Sequence, residues 1–182
     1  GRRGLADPCL ILLECERDQV TGSNGQIDPV NQAGIDRIRE LLRHARQSGW
    51  RVCHCQFQGE GSVAGRAPID GLRPTAQEAV FKRRGLSAFS DPFFHQVLAR
   101  SAGSSALLVG FSAPFSILAT VFDDANRDKA LTVVPEAVGA LAVEPRDVAE
   151  TRAMAFDLVA RMAPMMSWEN LTQDWSVDAP TA

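Results

Sequence analysis

Glu14, Lys82 and Ser116 are the side chains of this sequence best suited to act together on a small molecule. They offer a carboxylate for proton transfer, an ammonium for charge and a hydroxyl for bonding or attack. An opposite charge nearby favours an ionised carboxyl, whereas desolvation favours the neutral acid, and the balance decides whether such a group is a base or an acid. Ser116 lies about one turn after Pro114 at the expected start of a helix, where its backbone amide is one of the unpaired donors and would favour a developing oxyanion. A serine hydroxyl without a strong adjacent base is a poor nucleophile at neutral pH. Each residue also has a plainer reading. A serine near a helix start commonly caps it, a carboxylate after a strand is often solvated, and a lone lysine is usually surface charge.

Three further residues are candidates to line the same pocket, Glu16, His54 and Phe111. His54 is flanked by Cys53 and Cys55, but side chains alternate along a strand, so the two thiols face one way and the imidazole the other. No metal is expected there. His44 and His95 fall on predicted helices, with surface or packing roles. "GEGSVAG" lacks both the strand-to-helix context and the Lys-Ser or Lys-Thr ending of a phosphate loop, so no cofactor is expected.

These residues need a scaffold, and the hydrophobic pattern supplies one. "CLILL" is a continuous apolar run, as in a strand covered on both faces. "DPVNQAGIDRIRELLRHARQSGW" places Ile35, Ile38, Leu42 and Ala45 at helical spacing, with Asp28 and Pro29 to start the helix and Gly49 to stop it. "WRVCHCQF" is a second strand and "EAVFK" a third, separated by the long turn-rich stretch "QGEGSVAGRAPIDGLRP". Ser90 and Asp91 predict a helix start, with Phe93, Phe94, Val97 and Leu98 as the apolar face and Gly103 beyond the end. "SALLVGF" is a fourth strand, "ALTVV" a fifth, and a last helix spans about 145–162 with Val148, Thr151, Ala155, Leu158 and Met162 as its stripe. The alternation implies a three-layer α/β/α domain with a doubly wound, mainly parallel sheet. In such sheets ligands bind beyond the carboxyl ends of the strands, where Glu14, Glu16, His54 to Gln56, Lys82 and the 111–116 turn all lie.

The 182 residues are 45% hydrophobic, enough for one domain over 1–182 with a sizeable core. A net charge of −3 and a pI near 5.6 offer nucleic acid no electrostatic footprint. The apolar run before Glu14 has only five residues, too short for a signal core or a membrane span. A cytoplasmic protein with no membrane partner is expected, its four cysteines being free thiols.

The order of these pieces resembles the isochorismatase-like hydrolase superfamily, which is Rossmann-like in fold and includes nicotinamidases and carbamoylsarcosine amidohydrolases. The resemblance runs from "CLILLECERD" to about Met162, and is strongest in "LLRHARQSGWRV", "VFKRRGLSAF" and "GFSAPFSILATVFDDA". It implies that Glu14 stands at the family's Asp and Glu16 at its Gln, that Lys82 matches the catalytic lysine, and that Ser116 occupies the cysteine position. It further implies a cis peptide between Phe111 and Ser112, an oxyanion hole made by the Ser112 and Ser116 amides, and assembly as a homodimer or larger homo-oligomer. The Asp-x-His metal pattern of nicotinamidases is missing at Cys53 and His54. With serine for cysteine and a carboxylate displaced by about 1.5 Å, where shifts near 1 Å can cost ~10²-fold in rate, a cysteine-type amidase mechanism is not expected. The resemblance implies a hydrolase of divergent active site, acting on a small amide, urea or vinyl ether. The alternative is a catalytically inactive member, a pseudoenzyme, that binds small molecules or serves in assembly.

Overall fold

A computed structural model describes residues 5, 7–59, 65–99, 105–173 and 175. Part of the turn-rich stretch after the second strand, and Gly103, lie outside the described residues. Five parallel strands form one sheet in the order β3-β2-β1-β4-β5. They are β1 (Cys9–Leu13), β2 (Arg51–Phe57), β3 (Ala79–Arg83), β4 (Ala106–Gly110) and β5 (Leu131–Val138). The central strands β1 and β4 are buried throughout, which explains their unbroken apolar sequence.

Helix α1 (Pro29–Gln47) covers one face, with Asp28 capping it through the Val30 amide at 2.8 Å. Its buried Ile35, Ile38, Leu41, Leu42 and Ala45 pack on Leu10, Leu12, Leu107 and Val109. Helices α2 (Phe94–Ala99), α3 (Leu118–Ala125) and α4 (Val148–Val159) cover the other face, over Cys9, Ile11, Cys53, Cys55 and Leu108. A short helix α5 (Trp168–Thr172), not foreseen from the sequence, puts Leu171 against the α1 side. Met166 and Trp168 pack there too, and Met165 bridges to Val133. Among the described residues no helix is long and apolar enough to cross a membrane.

Several boundaries differ from those expected. The fifth strand runs on through Pro135, because β5 is an edge strand where a missing N–H costs no ladder bond. The last helix begins later, at the Asp147 cap, and buries Thr151, Ala155 and Val159, leaving Leu158 48% exposed. A 3₁₀ turn capped by Ser87 precedes α2, and Asp91 accepts from the Lys82 and Phe93 amides. Phe94 and Leu98 are buried as expected, but Phe93 is 61% exposed. The third strand ends at Arg83, one residue past the expected end. That single residue governs the site.

Candidate active site

The site is built where β1 and β4 end side by side. Gly110 has φ +122, and a Cβ there would lie 2.1 Å from the Leu13 carbonyl oxygen, so only glycine lets the two strand ends approach this closely. The Phe111 amide then donates to that same oxygen at 2.9 Å. The Phe111–Ser112 peptide is cis. Ser112 is locked on both sides: its hydroxyl accepts from the Leu141 amide at 2.7 Å, and its carbonyl accepts from the Phe115 and Ile117 amides. A π-type turn (Ala113–Ile117) leads into α3 and presents Ser116 to the strand ends.

Glu14 leaves β1 in the left-handed region, at φ +52. Its Oε2 accepts a short hydrogen bond from Ser116 Oγ. Its Oε1 lies 2.7 Å from Nη2 of Arg83, a fully buried guanidinium. That contact is an ion pair without an aligned hydrogen bond, and neither Arg83 Nη2 nor Nε has a hydrogen-bond partner among the described residues. Arg83 Nη1 donates to the Gly85 and Leu86 carbonyls, and the Phe57 ring covers the guanidinium with its centroid 5.3 Å away. Ser112, Ser116 and Arg83 are wholly enclosed, while Glu14 keeps 8% of its surface.

The structure therefore brings Glu14 and Ser116 together as expected, but Lys82 does not join them. Phe81 and Arg83 share the α2–α4 side of the sheet with Cys53 and Cys55, so the intervening Lys82 must face the other way. Its exposed ammonium donates to Gln56 Oε1 at 2.5 Å. Arg83 holds the position beside Glu14 that was expected for Lys82. A signal for it existed in the sequence: extending "EAVFK" by one residue puts Arg83 in register with Phe81, on the buried parity.

Glu16 is buried, its Oε1 accepting from the Phe57 amide at 3.0 Å, and burial pushes its carboxyl above the ordinary range. Phe111 is fully buried in the α1-side core, its ring sealed by Gly139, where a Cβ would sit 2.2 Å away. His54 is also buried, with Nε2 2.9 Å from Glu78 Oε1. Arg46 grips the same carboxylate as a fork, Nε to Oε2 at 2.9 Å and Nη2 to Oε1 at 2.8 Å. This holds Glu78 down at about 2, chiefly through the Arg46 hydrogen bonds, while burial lowers His54 despite the carboxylate. Cys53 and Cys55 face away from His54, and among the described residues no group of three His, Cys, Asp or Glu side chains converges to hold a metal ion.

The chain matches the isochorismatase domain family model over residues 8–170 and belongs to that family. Similar solved structures include an isochorismatase from Pseudomonas putida, at 22% identity over 92% of this chain and 91% of that one, with a TM-score of 0.77. An isochorismatase-like hydrolase from Alkaliphilus metalliredigens is 16% identical over 93% and 99% of the two chains, with a TM-score of 0.75. N-carbamoylsarcosine amidase from Thermoplasma acidophilum is 19% identical over 88% and 96%, with a TM-score of 0.67. At these identities the likeness is one of fold, the α/β fold of isochorismatase-family hydrolases. No curated protein matches the chain.

Proposed function

We propose that this chain hydrolyses the C–N bond of a small amide or urea, with Ser116 as nucleophile and Glu14 as its base. The observation that carries this reading is the hydrogen bond from Ser116 Oγ to Glu14 Oε2, made while Arg83 ion-pairs the other carboxylate oxygen. A hydroxyl aimed at a base that a third group orients is the arrangement nucleophilic catalysis requires. It supplies the adjacent base that the sequence alone does not reveal.

In the first half-reaction Ser116 Oγ attacks the carbonyl carbon as its proton passes to Glu14 Oε2. The tetrahedral oxyanion takes hydrogen bonds from the Ser112 and Ser116 amides, the donors expected at the helix start. The C–N bond then breaks and Glu14 returns the proton to the leaving nitrogen. Water attacks the acyl-serine, gives its proton to Glu14, and the carboxylic acid leaves as Ser116 recovers that proton. Arg83 holds Glu14 in place through the other carboxylate oxygen and takes no part in the proton transfers.

A panel of small amides, ureas and vinyl ethers tests this. Turnover of an amide or urea, with acyl mass trapped on Ser116 and lost in Ser116→Ala, is the expected result. Turnover of a vinyl ether that survives Ser116→Ala would instead make Glu14 a general acid needing no nucleophile, and no turnover across the panel would favour the non-catalytic alternative.

A further inference from the structure

A pocket of about 430 Å³ opens beside the enclosed cluster, on the side to which Lys82 points. Its walls include Glu16, Gln56, Phe57, Arg66, Arg73 and Lys82. Phe57 also covers Arg83, so its ring is the wall shared by the pocket and the candidate active site. The segment carrying Arg66 is tied down by backbone bonds from the Arg17 amide to the Ala67 carbonyl at 3.0 Å and from Asp18 to Gly65 at 2.8 Å. The pocket is thus part of the folded frame.

Resting on the hydrolase reading above, we infer that this pocket selects substrates bearing an anionic group, a carboxylate or a phosphate, which Lys82 and Arg73 bind while Gln56 orients the lysine. Among the described residues that line the pocket, three are cationic and one is a carboxylate, in a chain whose net charge is −3. Charge of one sign gathered in a concavity focuses the field there and raises the local concentration of opposite ions. Among the described residues neither Arg73 nor Lys82 enters an ion pair. Lys82 spends one ammonium proton on Gln56 and keeps two for a ligand. Glu16 offsets only part of this charge, and one of its oxygens is committed to the Phe57 amide. An anion bridging Lys82 and Arg73 would gain charge-assisted hydrogen bonds, and a guanidinium fork suits either carboxylate or phosphate.

Calorimetric titration with succinate, its neutral analogue succinamide and inorganic phosphate tests the inference. Succinate or phosphate should bind and succinamide should not, and Lys82→Gln and Arg73→Gln should each weaken anion binding by about tenfold or more. Both side chains are exposed, so the variants should fold as the parent does. The stronger of the two anions identifies the preferred group. Binding of succinamide equal to that of succinate, anion affinity unmoved by both substitutions, or no anion binding at all would overturn the inference. Glu14→Gln separates the two proposals. If it retains anion binding but loses turnover, both hold. If turnover persists, the serine–carboxylate mechanism falls and the anion pocket stands on its own titration.

Discussion

Two contacts between a glutamate and an arginine, the buried Glu14–Arg83 pair and the pair of a half-buried Glu78 with the partly exposed Arg46, differ in how completely they are satisfied. Glu78 meets Arg46 through two aligned hydrogen bonds, takes a third from the Thr75 amide at 3.1 Å and a fourth contact from His54. Glu14 meets Arg83 through one unaligned contact and Ser116 through one hydroxyl, while among the described residues Arg83 Nε and Nη2, both buried, make no aligned hydrogen bond. A saturated network has nothing left to offer a ligand and serves to hold structure, here the segment from Arg73 to Glu78 against α1 and β2. An unsaturated buried one carries a desolvation cost that a substrate oxygen could relieve. The same pair of residue types thus holds structure at the sheet edge and, in the hydrolase reading proposed above, serves the chemistry at the strand ends.

The largest expected contrast is in turnover. Glu14→Gln keeps the shape of the side chain but removes its basicity, and should lower kcat by ~10³-fold, within the range of general acid–base contributions. Glu78→Gln should leave kcat within about threefold, since Glu78 touches none of the reacting groups. Steady-state kinetics on any amide that the panel identifies checks both; equal losses in the two variants would erase the distinction. Next comes stability. Arg83→Met leaves a buried carboxylate without its counter-ion and should cost about 3–5 kcal/mol by denaturant unfolding. Arg46→Met should cost only about 1–3 kcal/mol, because Glu78 retains the Thr75 amide and His54. A smaller effect still is expected one residue from Arg83. Lys82→Met should change stability by no more than about 0.5 kcal/mol, as for an exposed side chain outside any ion pair.

That neighbouring pair also shows what the sequence could disclose. The apolar runs and helical spacings of β1, α1, β2 and β4 reflect burial on whole faces, a signal spread over many residues and robust to small errors. Glu14 was legible because it directly follows a strand with an unambiguous end, and Ser116 because it sits at the start of the helix that follows the fourth strand. Lys82 and Arg83 were not separable in this way: a strand repeats every two residues, so an end misplaced by one exchanges the buried side chain for the exposed one. The Arg46–Glu78–His54 network was hidden for another reason. Its members are drawn from α1, the segment before β3, and β2, and no local pattern marks three residues that meet only after the sheet has assembled.

The pH dependence of stability gives the finest test of the saturated network. Burial depresses His54 below its ordinary 6.5, so the folded state favours the neutral imidazole and this contribution is complete above 6.5 and lost as the pH falls below it. Glu78 falls from an ordinary 4.5 to about 2, so its contribution is complete above 4.5 and is lost as the pH drops through that interval. Both act in the same direction, and acidification should lower Tm in two stages, the imidazole first. Glu78→Gln should remove its share of the second stage. It should also depress His54 further, because the carboxylate is what partly opposes burial in holding a proton on the ring. Measured by thermal unfolding across this range alongside NMR titration of the ring, a His54 that titrates at or above 6.5, or a second stage unchanged by Glu78→Gln, would mean that the network is not saturated in solution, and its contrast with the Glu14 cluster would disappear.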